Sequence, residues 1–457
     1  MRFRHAFFLA ALPALAQAQQ SAAKVPIRQV SKPVTAAQTF RSIASVRELG
    51  SRVLVDADED RALLLYDAGL GARTVLADST NSYASGGRVL PYLGDSALFL
   101  DFSSRATVLI GPDGKLGRVI ALARPQDFAL VLSSPVVGID ARGRLIYQGR
   151  GPLVIIPGCR MVDGRPNRRD VTPADSVVII RADFDTRTVD TIGRVRASLT
   201  STFPVATVDD QCRTVSAKVK VNPSIPPMDG WAVTSAGAVA LVRNHDYHID
   251  WIDGTGTHAT DKLPFDWRRI TDAEKQARLD SAKHIIDSLT AIGGYRLRQC
   301  GNITRFSDEP MDTVSDPRAA LAGLGAGGGA RTIRAAGGGR GGDGGDTPPP
   351  PTQPACQSVV VNADYAKLDE MADYISPIRE GAVTADRDGN VWILPTTSSG
   401  AKNGLLYDVV NSAGVLVERV QLPSGRSIAG FGKGGVVFLA NHLGENKLQL
   451  ERVTIVR

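Results

Sequence analysis

Residues 40–55 read FRSIASVRELGSRVLV, and residues 425–440 read GRSIAGFGKGGVVFLA. Both place Arg-Ser-Ile-Ala, at 41–44 and 426–429, ahead of a turn and an apolar run. Four more segments repeat the pattern: RVLPYLGDSALFLDF at 88–102, PVVGIDARGRLIYQ at 135–148, GWAVTSAGAVALVRN at 230–244 and GAVTADRDGNVWILP at 381–395. Each reads as a β-hairpin, because β-rich runs flank a tight Gly or Asp turn. We refer to the six as units one to six in chain order.

A third run follows most hairpins: ALLLYDA at 62–68, ATVLIGP at 106–112, SVVIIRA at 176–182, YHIDWID at 247–253, LLYDVV at 405–410 and KLQLERV at 447–453. Several units carry a fourth, such as RTVL at 73–76, RVIAL at 118–122 and VLVERVQL at 415–422. The hairpins start near 42, 88, 135, 230, 381 and 427, so three intervals are 46 or 47 residues and two are long, 95 and 151. Four antiparallel strands repeated at that period predict an all-β fold, a six-bladed β-propeller with insertions in the long intervals, or seven or eight blades if those intervals hold whole units. The last unit lacks its own fourth strand. Pro26–Lys32, or the segment after it, is expected to supply one and close the ring, removing an open sheet edge. The repeated RSIA would then mark equivalent innermost strands of neighbouring units.

The segments ValAspAlaAspGluAspArg at 55–61 and LeuAspPheSerSerArg at 100–105 place an Asp after the second strand and an Arg opening the third. In this the chain resembles six-bladed propellers of the NHL-type and TolB-like group. On residues alone, the Asp–Arg pairs brace a turn.

Arg2 and Arg4, the apolar stretch Phe7–Leu15 and Ala16-Gln17-Ala18 form a signal peptide over residues 1–18, with no Cys following. This predicts a periplasmic or secreted chain that is not a lipoprotein. No later segment is long and apolar enough to span a bilayer. The formal charge of +6 falls to +4 without the leader, and no dense basic face stands out, which argues against nucleic acid. Residues 19–457 are read as one propeller domain and a monomer. Cys159, Cys212, Cys300 and Cys356 are an even count in an exported chain, which favours disulfides. The pairing Cys159–Cys212 and Cys300–Cys356 would brace one insertion each.

The larger insertion spans 264–378. Thr271-Asp-Ala-Glu274 is a capping box, and Leu279, Ala282, Ile285, Ile286 and Leu289 recur behind it at helical spacing. This predicts an amphipathic helix over about 271–291, packed on the protein's own body. The Gly-rich stretch from 320, ending in Pro348–Pro351 and running to 355, cannot bury a core and reads as a disordered loop.

No G-x-S-x-G, H-E-x-x-H or Walker A motif is present, and six His discourage a zinc hydrolase. Asp246, His248 and Asp250 would share one strand face by alternation, as a metal or acid/base group or as an ordinary polar face. AspArgAspGlyAsn at 386–390 begins like a calcium loop but coincides with the turn of unit five. Residues just before each innermost strand are expected to gather at one channel mouth: Arg41, Ser134, Asp229, Arg379, Glu380 and Arg426. That mouth suggests a module binding a protein, peptide or glycan with no cofactor. The alternative is a hydrolase similar to the calcium-dependent lactonases and arylesterases, which are six-bladed propellers. Asp229 and Glu380 would then hold the calcium.

Overall fold

The computed structural model describes residues 25–79, 87–149, 159–162, 165–168, 176–196, 205–224, 227–300, 303–307, 357–400 and 404–457. The signal peptide and the Gly/Pro-rich loop read from the sequence lie outside them.

The chain is mostly β. Unit one pairs Ser45–Leu49, Arg52–Ala57, Ala62–Asp67 and Arg73–Asp78 in antiparallel order. Unit two does the same with Gly87–Pro91, Ala97–Asp101, Ala106–Ile110 and Leu116–Val119. Unit three uses Val137–Ile139, Leu145–Gln148, Ser176–Ala182 and Val189–Arg196. Unit four uses Gly230–Val233, Val239–Arg243, His248–Asp253 and Gly256–Ala259. Unit five uses Val383–Ala385, Val391–Ile393, Leu406–Val410 and Leu416–Gln421. Unit six pairs Arg426–Phe431, Val436–Gly444 and Lys447–Val456.

Two N-terminal strands flank that last strand. Val34–Phe40 pairs with it antiparallel, with Thr35 opposite Glu451. Ile27–Val30 also pairs with it and runs parallel to Leu416–Gln421 of unit five. The first strands of units one and six pair in parallel, Val46 with Gly430 and Arg47 with Phe431. The two RSIA segments are therefore spatial neighbours but not equivalent. Residues 426–429 open a strand, whereas 41–44 precede one.

The second strands are apolar on both faces because each sheet is packed between two others, whereas outer strands such as Leu116–Val119 and Gly256–Ala259 are exposed. One cluster joins units one and two through Leu54, Leu63, Phe99 and Ile110. Others join two to three through Leu98 and Tyr147, three to four through Ile179 and Trp231, and four to five through Trp251 and Val391. The series continues from five to six through Trp392 and Val437, and from six back to one through Phe438 and Val55.

The long intervals hold more than the sequence reading foresaw. Val205–Val208 and Thr214–Val221, before unit four, join Arg296–Cys300, Ile303–Ser307 and Gln357–Tyr365, after it, in one five-stranded sheet. A hairpin of Cys159–Val162 and Arg165–Arg168 interrupts unit three. The helix Asp272–Ala291 starts at Thr271, whose side chain accepts from Glu274 N while Glu274 reaches back to the Thr271 backbone. Its residues Ile286 and Leu289 pack on the inserted sheet, and Leu279 packs on Ala366 and Met371. Ile285, expected on that face, is exposed, because its position points away from the inserted sheet.

Candidate functional site

The first strands of all six units line one cavity of about 460 Å³. That size suits a small-molecule ligand. Its apolar wall includes Val46, Val89, Val137, Val233, Val383 and Ile428. Of the lining residues only Arg47, Arg88 and Arg387 are charged, and all three are cations.

Each arginine is held differently. Arg47 Nε donates to the Ser96 carbonyl at 3.1 Å and Nη2 to the Tyr92 carbonyl at 3.5 Å. Burial, and then the Arg387 guanidinium, push Arg47 down to about 9, against the pull of Asp95 and Glu48. It remains a cation at neutral pH. Arg88 donates to the carbonyls of Leu132 and Ser134, and burial pushes it down to about 10 despite Asp56. Arg387 meets carboxylates instead: Nη2 lies 2.7 Å from Asp95 Oδ1 and Nη1 lies 3.4 Å from Glu48 Oε2.

That last contact belongs to a network at the strand ends where the first turns lie. Lys433 Nζ pairs with Asp95 at 2.9 Å, and its backbone N–H donates to Glu48 Oε2. Asp388 accepts from the N–H groups of Gly434 and Gly435 at 2.9 and 2.7 Å. Units one, two, five and six are thus tied together there. Along the wall, Ser45 Oγ is buried with no hydrogen-bond partner. The Tyr407 hydroxyl, also at the cavity, is pushed up to about 12 by burial.

The residues singled out from the sequence are placed elsewhere. Asp229 accepts from Arg243 Nη1 and Arg196 N at 2.9 Å and from Asn244 N at 3.1 Å. Arg426 makes a forked pair with Glu451 at 2.9 and 3.1 Å. Ser134 is buried, with its hydroxyl on the Val136 carbonyl. Arg41, Arg379 and Glu380 are exposed. None of the six lines the cavity. The spacing of the units singles out residues ahead of the first strands and so passes over the arginines that do. Arg47 and Arg88 lie within them, Arg47 in SVREL beside Glu48 and Arg88 in the largely apolar GRVLP.

Asp246, His248 and Asp250 do meet. His248 Nδ1 lies 2.6 Å from Asp246 Oδ1, and Nε2 lies 3.1 Å from Asp250 Oδ1. Asp250 also accepts from Arg243 Nε at 2.6 Å, so the cluster is a closed hydrogen-bond chain on the third strand of unit four. Asp386 is fully used in its turn, accepting from the backbone of Asp388 and Asn390 and from Trp392 Nε1 at 2.9 Å. Asp101 braces its turn through Ser103 N and Ser104 N, with Arg105 in the left-handed region at φ 55°. Among the described residues no group of three or more His, Cys, Asp or Glu is arranged to hold a metal. A cationic lining does not fit a calcium ion, which takes carboxylate and carbonyl oxygens. Among the described residues no helix is long and apolar enough to cross a membrane.

No protein-family model and no curated protein matches this chain. Solved structures similar to it include the calcium-binding protein regucalcin from Agrobacterium tumefaciens, 10% identical, covering 94% of this chain and 96% of that one, with a TM-score of 0.36. A catalytically inactive virginiamycin B lyase from Staphylococcus aureus, crystallised with quinupristin, is 9% identical, covers 93% and 99%, and scores 0.33. The PQQ-bound aldose sugar dehydrogenase from Streptomyces coelicolor is 11% identical, covers 94% and 98%, and scores 0.34. Likeness at this level says nothing about activity. The propeller-like architecture rests on the strand pairing and on the cores between successive units.

Proposed function

We propose that the chain is an exported six-bladed β-propeller, closed by Val34–Phe40 on the last unit, that binds a ligand in its central channel rather than turning one over. The observation that carries this reading is the cavity itself. It is walled by all six first strands and contains three cations, two of which are held by carbonyl oxygens alone among the bonds described. Burying a guanidinium is costly even where carboxylates pull on it, as Asp95 and Glu48 do on Arg47 and Asp56 on Arg88. A fold that keeps two such groups on a cavity wall is suited to a ligand that offsets that cost. The channel lining argues against the calcium hydrolase, since neither Asp229 nor Glu380 reaches it.

The test is recovery of a bound small molecule from protein purified out of the envelope or culture fluid. Native mass spectrometry would compare the wild type with Thr384→Trp, which fills the channel from a partly exposed wall position. A compound retained by the wild type and absent from a folded Thr384→Trp supports the reading. Identical cargo, or a folded variant that binds as well as the wild type, overturns it.

A further inference from the structure

Three of the four tryptophans, Trp231, Trp251 and Trp392, are buried in the cores between units. The fourth, Trp267, is 40% exposed, and Tyr374 beside it is 49% exposed. Their ring centroids lie 6.4 Å apart at 86°, so the two rings form a corner. Trp267 also meets Phe265 at 5.1 Å and 81°, and Phe265 meets the buried Tyr247 at 5.6 Å. The backbone holds both segments in place. Ile270 N donates to the Asp373 carbonyl at 2.7 Å, Ile375 N donates to the Arg268 carbonyl at 3.0 Å, and Arg269 stands opposite Tyr374. A surface set in advance costs little ordering when a ligand lands on it. Neither ring lines the channel.

Polar groups surround the corner. Trp267 Nε1, the Tyr374 hydroxyl and the Asp266 carboxylate make no hydrogen bond among the described residues. The charged residues of segments 264–270 and 371–377 are Asp266, Arg268, Arg269 and Asp373, and Glu274 and Lys275 pair with Arg268 and Asp373. That is three charges of each sign. On the order of 200 Å² of the two side chains is open to solvent. A standard protein interface buries about 800 Å² on each partner, so this surface is too small for one.

We propose that this corner binds one neutral pyranose residue of a glycan. An aromatic ring carries a negative face, against which the C–H groups of one sugar face pack. The sugar's hydroxyls both donate and accept. They engage Asp266, the Tyr374 hydroxyl and Arg269, whose position opposite Tyr374 puts it within reach. An acidic ligand finds no excess of positive charge here. The site is separate from the channel and does not rest on the channel reading.

The experiment probes an array of neutral and acidic oligosaccharides with the labelled mature protein, then titrates the best-bound oligosaccharide free in solution. Trp267 is the exposed tryptophan among four, so intrinsic fluorescence reads the site directly. Binding is expected to move the emission to shorter wavelength and to shield it from acrylamide. By calorimetry, Trp267→Ala and Tyr374→Ala should each weaken binding at least about tenfold. Trp267→Phe keeps a ring and should retain part of the affinity, which separates a lost contact from misfolding. Thr384→Trp, which fills the channel, should leave glycan binding unchanged. No neutral glycan bound, acidic glycans bound in preference, or binding untouched by both Ala substitutions overturns the proposal. Binding lost in Thr384→Trp but kept in both Ala variants would place the sugar in the channel and overturn the corner assignment.

Discussion

Arg387 Nη2 donates to Asp95 Oδ1 at 2.7 Å, tying the first turn of unit five to the first turn of unit two. The first strands of both units line the same cavity, so this pair links two of its walls. Glu48 of unit one and Lys433 of unit six complete the link.

Removing either end should therefore loosen four units at once. Arg387→Met and Asp95→Asn are each expected to cost about 1–3 kcal/mol in urea unfolding, because the partner left behind is partly buried. Both contacts belong to one network, so the double variant should show a coupling of at least about 0.5 kcal/mol. Strictly additive losses would mean that the pair does not act as a brace.

Asp95 also sets a pH dependence. Its hydrogen bond from Lys433, and then that from Arg387, hold its carboxyl below the usual carboxylate range. A carboxylate depressed in the native state adds stability above the unfolded value near pH 4, and that stability is lost as pH falls through the lower native value. Urea midpoints of wild type and Asp95→Asn should converge below about pH 4. A constant gap from pH 7 to pH 2 would contradict the assignment.

Gly430 pairs with Val46 where units six and one meet, and a Cβ there would lie 2.0 Å from the Val46 carbonyl oxygen. Backbone on both sides has to move to admit it. Gly430→Ala should cost about 1–3 kcal/mol, a typical penalty for overpacking. A melting temperature unchanged from wild type would show that the seam yields freely.

Gln299 pairs with Gln357, and each is the chain neighbour of a cysteine, Cys300 and Cys356. Cys212 is disulfide-bonded. Peptide mapping without reductant is expected to yield Cys300–Cys356 and Cys159–Cys212. Reduction should lower stability by about 2–4 kcal/mol per bond. A Cys212–Cys300 peptide would refute the pairing.

Arg47 is less easily charged in the fold than in the unfolded chain, for which burial is the main cause. Below about pH 9 that penalty is fully present, and it is relieved only as pH rises toward the unfolded value. Arg47→Met should therefore raise the melting temperature at pH 7, by about 2 °C. A large drop instead would make Arg47 a structural brace.

The local pattern of this fold was legible in the sequence. Hairpins such as Gly381–Pro395 and third runs such as Ala62–Asp67 announce themselves through β-rich alternation around a Gly or Asp turn. Thr271 and Glu274 form the cap that their spacing implies. The N-terminal partner of the last strand could be inferred because a sheet edge had to be covered. The inserted sheet was not legible, because Thr214–Val221 finds its parallel partner in Gln357–Tyr365, far along the chain. No local periodicity encodes such a pairing. The channel cations were hidden for a related reason. Whether Arg47 faces solvent, a neighbouring sheet or the channel depends on how the units are arranged around the axis. Asp229 shows the converse. Its position before a first strand suggested a ligand role, yet its oxygens are taken by Arg243, Arg196 and Asn244.

The strand Lys447–Val456 lies between Val436–Gly444 and Val34–Phe40. During synthesis, then, a strand made among the first must wait for the one made last. Until residue 450 or so has emerged, Ala36 and Phe40 lack Leu450 and Phe438, the partners that bury them. This pairing of the chain's two ends is thus among the most non-local events in its folding, and such events are slow. A chain cut short by a dozen residues loses more than a strand: its two ends are left exposed and prone to associate with other copies.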